Sequence, residues 1–196
     1  MGKIFCIMGK SATGKDTIYK RLLTDPDLNL NKIVTYTTRP IRAGEKPGEE
    51  YFFIDEAEAD RLASLGKIVE MRAYNTVHGV WKYMTVEDES LDVSKGNFLV
   101  IGTPESFRQC REHFGEGVMV PVLVAVDDGA RLERALKRER KQANPKYEEM
   151  CRRFLADAKD FSAEKLAEAG IDSSFENVDL ETCYKEIAAF IKANLE

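Results

Sequence analysis

The sequence predicts an α/β fold, a mainly parallel sheet flanked by helices. Two observations carry that prediction. Short apolar runs at Lys3–Met8, Phe98–Ile101 and Val118–Val126 read as strands buried on both faces. Stretches with apolar residues at helical spacing, such as Thr17–Leu23 and Leu180–Leu195, alternate with them, the order of a sheet covered on both sides. A third observation modifies the picture. Residues 33–85 break the alternation and are strand-rich, which predicts a small separate mixed lobe.

In chain order, the first strand runs into a glycine loop, Gly9–Gly14, followed by the helix from Thr17. Ile33–Thr37 reads as a strand, and Thr38–Gly48 as a loop rich in Pro, Gly and Arg. Tyr51–Ile54 is a short strand, and Glu56–Leu65 a helix ended by Gly66. Lys67–Tyr74 and Val80–Met84 look extended about a turn near His78–Gly79, and Glu87–Ser94 helical. Gly129–Lys165 is helical and heavily charged, broken near Asn144–Pro145 because proline lacks the N–H a helix interior needs. Phe175–Asn177 suggests a last short strand.

A chain of 196 residues fits one such unit, and no repeat or linker divides it. The net charge of −5 argues against a nucleic-acid polymer as partner. No apolar run approaches the roughly 20 residues of a membrane span, and the first apolar run is too short for a signal peptide. Cys6, Cys110, Cys151 and Cys183 form no CxxC pair, and His78 and His113 complete no metal-ligand spacing. These features lead us to expect reduced thiols and a cytoplasmic protein, monomeric or a homodimer.

The segment Gly9-Lys10-Ser11-Ala12-Thr13-Gly14-Lys15-Asp16-Thr17 is a GxxxxGK phosphate-binding loop, or P-loop, in its required strand–loop–helix context. Glycines 9 and 14 allow successive N–H groups to face phosphate oxygens, and the following helix adds its positive end. Lys15 would hold the β- and γ-phosphates of ATP in line for transfer. Asp16 stands where Ser or Thr usually ligates Mg²⁺. A carboxylate there would repel bare polyphosphate but bind an intervening Mg²⁺ strongly, or it could simply favour the helix start. Thr17 could supply a hydroxyl, but one helical step turns it roughly 100° away.

Thr35-Tyr36-Thr37-Thr38-Arg39-Pro40-Ile41-Arg42-Ala43-Gly44-Glu45, followed by Tyr51, is the second informative block. Two arginines beside hydroxyl groups suit a phosphate monoester. With the P-loop, this block resembles the TTRxxRxGE motif of the guanylate kinase family, whose members phosphorylate GMP. The resemblance extends over the chain and implies a P-loop kinase fold. It divides into a core (1–34, 86–136 and 166–196), a strand-rich acceptor-binding lobe (35–85) and a helical lid (137–165). It also implies that Arg39, Arg42 and Tyr51 hold the acceptor phosphate, with Thr35 close by and Tyr83 also on the acceptor side. Glu70 would then read guanine, whose adjacent N1–H and N2–H one carboxylate can accept together. Among the lid arginines, Arg138, Arg140 and Arg153 would act in catalysis, and Asn177 would lie near the donor adenosine.

The sequence departs from the family at two places. The expected Asp-x-Asp after the Phe98–Ile101 strand is replaced by Gly102-Thr103-Pro104, with Glu105 the nearest carboxylate, and the Tyr-Gly-Ser/Thr segment by Trp81-Lys82-Tyr83-Met84. The activity expected is therefore ATP- and Mg²⁺-dependent phosphorylation of a nucleoside monophosphate, GMP first. A deoxynucleotide or another phosphorylated small molecule is the alternative acceptor. The alternative from another class is a non-catalytic protein-binding module.

Overall fold

The computed structural model describes residues 2–42, 44–76, 79–88 and 90–195. Strand β1 (Ile4–Met8) lies at the centre of a five-stranded sheet because all its side chains are apolar. The pleat sends alternate residues to opposite faces. Ile4, Cys6 and Met8 pack with Phe98, Val100, Phe107 and Cys110, whereas Phe5 and Ile7 pack with Ile18, Leu22, Ile187 and Ile191. β7 (Asn97–Ile101) and β8 (Met119–Ala125) flank β1, with β2 (Leu30–Lys32) and β9 (Phe175–Glu176) at the edges. Every pairing in this sheet is parallel. α1 (Lys15–Thr24) and α7 (Leu180–Leu195) cover one face, and α3 (Pro104–Phe114) the other.

The strand expected over Ile33–Thr37 is divided between two sheets. β2 pairs with β7, and the Ile33 N–H donates to the Leu99 carbonyl at 3.1 Å. Val34 and Thr35 then carry the chain across to β3 (Tyr36–Thr37) of the lobe. There the order is β4-β3-β6-β5, with β4 Phe52–Phe53, β5 Ile68–Thr76 and β6 Gly79–Val86. β3 pairs parallel to β4 and antiparallel to β6, which makes the lobe the mixed sheet expected. α2 (Glu56–Ser64) closes it by burying Ala59 and Leu62 against Met84 and Val86. Ala43 of the arginine-rich loop and His78 of the expected turn lie outside the described residues.

Two helix expectations change. Glu87–Ser94 is not helical among its described residues. Asp88 accepts from the Ser90 N–H at 2.8 Å and Asp92 from the Ser94 N–H at 3.0 Å, so two side-chain turns satisfy backbone donors a helix would otherwise use. Conversely, α3 was not anticipated. Its start is written in Thr103 and Pro104, since Thr103 and Ser106 form a reciprocal cap and Pro104 occupies the first turn, where its missing N–H costs nothing. The charged stretch resolves into α4 (Asp128–Glu139), α5 (Tyr147–Asp160) and α6 (Ala163–Glu168), and the first break falls around Pro145 as expected. The four cysteines are free, and no helix among the described residues is long and apolar enough to cross a membrane.

Candidate active site

β1 delivers the chain to Gly9 and α1 takes it up at Lys15, so the loop lies at the carboxyl end of the central strand and the positive end of a helix. Two positions demand glycine. A Cβ on Gly9 would lie 2.6 Å from the Val124 carbonyl oxygen. Gly14 has φ of +88°, and a Cβ there would meet Asn177 Nδ2 at 2.4 Å. The loop is also braced from within. The buried Thr13 hydroxyl donates to the Lys10 carbonyl at 2.9 Å, and Asn177 Nδ2 donates to the Thr13 carbonyl at 2.7 Å. Asn177, expected near the donor adenosine, thus pins the loop.

Lys15 Nζ stands 3.7 Å from Asp16 Oδ1, and the Asp16 side chain is 67% exposed. Lys10 is drawn aside by Asp128, 3.2 Å away. Thr17 is exposed on α1. Asp16 is therefore a solvent-facing hard-oxygen donor at the mouth of the loop. No cluster of three or more acidic, His or Cys metal-ligand candidates exists among the described residues.

The residues expected to bind the acceptor converge in the lobe. Arg39 is buried, and its guanidinium forks onto Glu45 (Nη1–Oε2 3.0 Å, Nη2–Oε1 2.8 Å). Glu45 also accepts the Arg42 backbone N–H at 2.8 Å. Arg39 lies over the rings of Tyr51 and Phe53, and the Tyr51 and Tyr83 ring centroids are 5.6 Å apart. Arg42 is exposed beside this cluster, and the Thr35 carbonyl accepts from the Phe52 N–H where β3 meets β4. Glu70, on β5, is 2% exposed. Its carboxylate accepts from Arg72 Nε at 3.0 Å, Arg72 Nη2 at 3.3 Å and the Thr85 hydroxyl at 2.9 Å.

Helices α4 and α5 meet the loop through residues that sequence reasoning did not single out. Asp157 of α5 accepts the Ser11 N–H at 2.7 Å, so a carboxylate occupies a P-loop amide, a position suited to an anion. Arg131 of α4 is 1% exposed and donates to both the Ser11 carbonyl (3.2 Å) and Asp157 (3.1 Å), with its guanidinium 4.1 Å from the Phe154 ring centroid. Arg138, Arg140 and Arg153, the lid arginines expected from the resemblance, are solvent-exposed. The arginine that touches the loop is Arg131.

The family model for guanylate kinase matches residues 1–194. The chain belongs to the guanylate kinase family. Its relatives include the guanylate kinase of Oleidesulfovibrio alaskensis, 32% identical over 198 residues that cover 99% of this chain and 89% of that protein. The Porphyromonas gingivalis guanylate kinase is 28% identical over 189 residues, 95% of each chain. Among solved structures, guanylate kinase from Anaplasma phagocytophilum superposes with a TM-score of 0.70 at 22% identity, covering 99% of this chain and 86% of that one, and so shares the fold.

Against the guanylate kinase pattern, the lost Asp-x-Asp has a structural reason. A Cβ on Gly102 would lie 2.6 Å from Cys6 Sγ and 2.7 Å from Ser106 Oγ, leaving no room for a carboxylate. Glu105 does not replace it, because its carboxylate is held by Arg108 and Gln109 on its own helix. The Arg39–Glu45 fork, in contrast, predicts a pH response. The hydrogen bond from Arg39 holds the Glu45 carboxyl below its usual range. A depressed folded-state pKa gives stability that is present above the unfolded value and lost as pH falls through the folded one. Acid unfolding monitored by circular dichroism is therefore expected to flatten below about pH 4 in Glu45→Gln relative to the parent. Identical profiles would contradict it.

Proposed function

We propose that this guanylate kinase family member transfers the γ-phosphoryl group of ATP to the phosphate of GMP. The observation that carries this reading is the intact, braced P-loop with Lys15 at its helix, together with a separate lobe where Arg39, Tyr51 and Tyr83 cluster. A binding module has no use for Gly9, Gly14 and Lys15 held in this way.

The loop amides and Lys15 hold the donor phosphates, and the Arg39 and Arg42 guanidinium groups hold the acceptor phosphate. Glu45 fixes the Arg39 plane, which limits the reorganisation needed on binding. The acceptor phosphate is already an anion, so no base is needed. Positioning and charge neutralisation lower the barrier. Lid closure removes water, the competing nucleophile. Arg131 of α4, already at Ser11, adds a cation beside the loop. Mg²⁺, held by Asp16 with phosphate oxygens, would neutralise charge that builds on the donor.

A coupled assay for ADP with GMP, dGMP and AMP as acceptors tests the reading. ADP formation that depends on GMP is expected, and a folded protein that uses none of the three would refute it. Asp16→Asn is expected to raise the Mg²⁺ concentration for half-maximal rate by about tenfold, since it removes a charged oxygen ligand at the mouth of the loop. An unchanged Mg²⁺ profile would remove Asp16 from the metal site.

A further inference from the structure

Glu70, Arg72 and Tyr74 lie on one face of β5, opposite Thr85, Tyr83 and Trp81 of β6. This face leads from the deep end at Glu70 to the phosphate end, because Tyr83 packs edge-to-face on Tyr51 and Tyr51 lies under Arg39. A purine monophosphate with its phosphate at Arg39 and Tyr51 would extend its base along this face toward Glu70. Arg72 stands in that path, and its side chain is only 16% exposed.

The bonds between Arg72 and Glu70 decide how such a base is read. Arg72 presents Nε–H and Nη2–H as two parallel donors to the two carboxylate oxygens. Guanine would present N1–H and N2–H in the same arrangement, so Arg72 already fills the edge of Glu70 on which a guanine donor pair would bind. A carboxylate offers about four acceptor sites, and Thr85 takes a third. Displacing Arg72 would exchange a charge-assisted fork for neutral donors and leave two buried charges apart. Burial works against the Arg72 charge, but Glu70 and Tyr74 outweigh it and hold its pKa above the ordinary arginine value, so the guanidinium stays charged.

The fork uses two of the five guanidinium N–H donors, and planar geometry turns the other three away from Glu70. We infer that Arg72, anchored by Glu70, reads the O6/N7 acceptor edge of the guanine base. This inference rests on the kinase reading above and specifies how that site selects its purine. It reverses the polarity of base recognition, with donors from the protein meeting acceptors on the base. Guanine and hypoxanthine both carry O6 and N7, whereas adenine places an N6 donor where O6 would be. The 2-amino group of guanine is then left unread.

Steady-state kinetics of the full chain with ATP·Mg²⁺ and GMP, IMP or AMP test this. In the parent protein, kcat/KM for IMP is expected within about threefold of that for GMP, and AMP poorer by roughly tenfold to a hundredfold, the discrimination of one bidentate pair. Arg72→Ala is expected to cut the GMP-to-AMP ratio by about tenfold or more. That variant leaves Glu70 buried with Thr85 alone and could lose its fold. Arg72→Lys keeps the charge, cannot present a fork, and is expected to narrow the same ratio. A parent preference for GMP over IMP of about a hundredfold or more would mean the 2-amino group is read, and would overturn the inference. So would a folded Arg72→Lys protein with an unaltered GMP-to-AMP ratio. No turnover of any of the three would instead overturn the kinase reading itself.

Discussion

Replacing Lys15 with alanine is expected to lower kcat by roughly a hundredfold to a thousandfold, the loss seen when one preorganised charge-stabilising donor is removed. Lys15 opens α1 directly after Gly14, so its ammonium is delivered by a backbone that the Asn177–Thr13 and Thr13–Lys10 bonds hold in place. Its charged end lies 3.7 Å from Asp16 at the loop mouth. The fold should therefore survive, and the loss should be kinetic. Thermal melting within a few degrees of the parent, together with the fall in kcat, is the expected pair of results. Retained kcat would show that the loop amides carry the transfer without Lys15.

Arg39→Met is expected to damage stability and acceptor binding together. Arg39 and Glu45 form a forked pair whose side chains are 2% and 17% exposed. Removing the cation leaves a desolvated carboxylate with only the Arg42 N–H, and breaking a buried pair from one side costs about 3–5 kcal/mol. Urea unfolding measures that loss. Arg39→Met/Glu45→Gln removes the uncompensated charge, so it should recover part of the stability while KM for the acceptor stays high. If the double variant also regained acceptor binding, Arg39 would be a structural residue and not a phosphate ligand.

How much was legible depended on whether a residue's role is local. β1, β7 and β8 are apolar runs whose burial follows from composition, and the P-loop is a contiguous motif with its strand and helix attached. The arginine block likewise placed Arg39, Tyr51 and the fork partner Glu45 within a short segment. Where two sheets share a connection, as at 33–37, the same extended residues suit either sheet, and only pairing partners decide. Arg131 and Asp157 lie in charged helices that read as solvated faces, and they become site residues only because α4 and α5 fold against Ser11. Arg72 was hidden for a similar reason. On an isolated strand it is a surface cation, and only the register with β6 and the burial of Glu70 turn it into a fork. The loss of carboxylates at Gly102 was visible in the sequence, but its cause, the approach of Cys6 and Ser106, was not.

In the proposed reaction the phosphoryl group passes directly between two bound phosphates with water excluded. Following ATP and GMP by ³¹P NMR with catalytic amounts of the protein tests it most directly. The expected result is GDP and ADP appearing in equal amounts without inorganic phosphate. ATP loss that yields inorganic phosphate and no GDP, or no reaction at all, would contradict it.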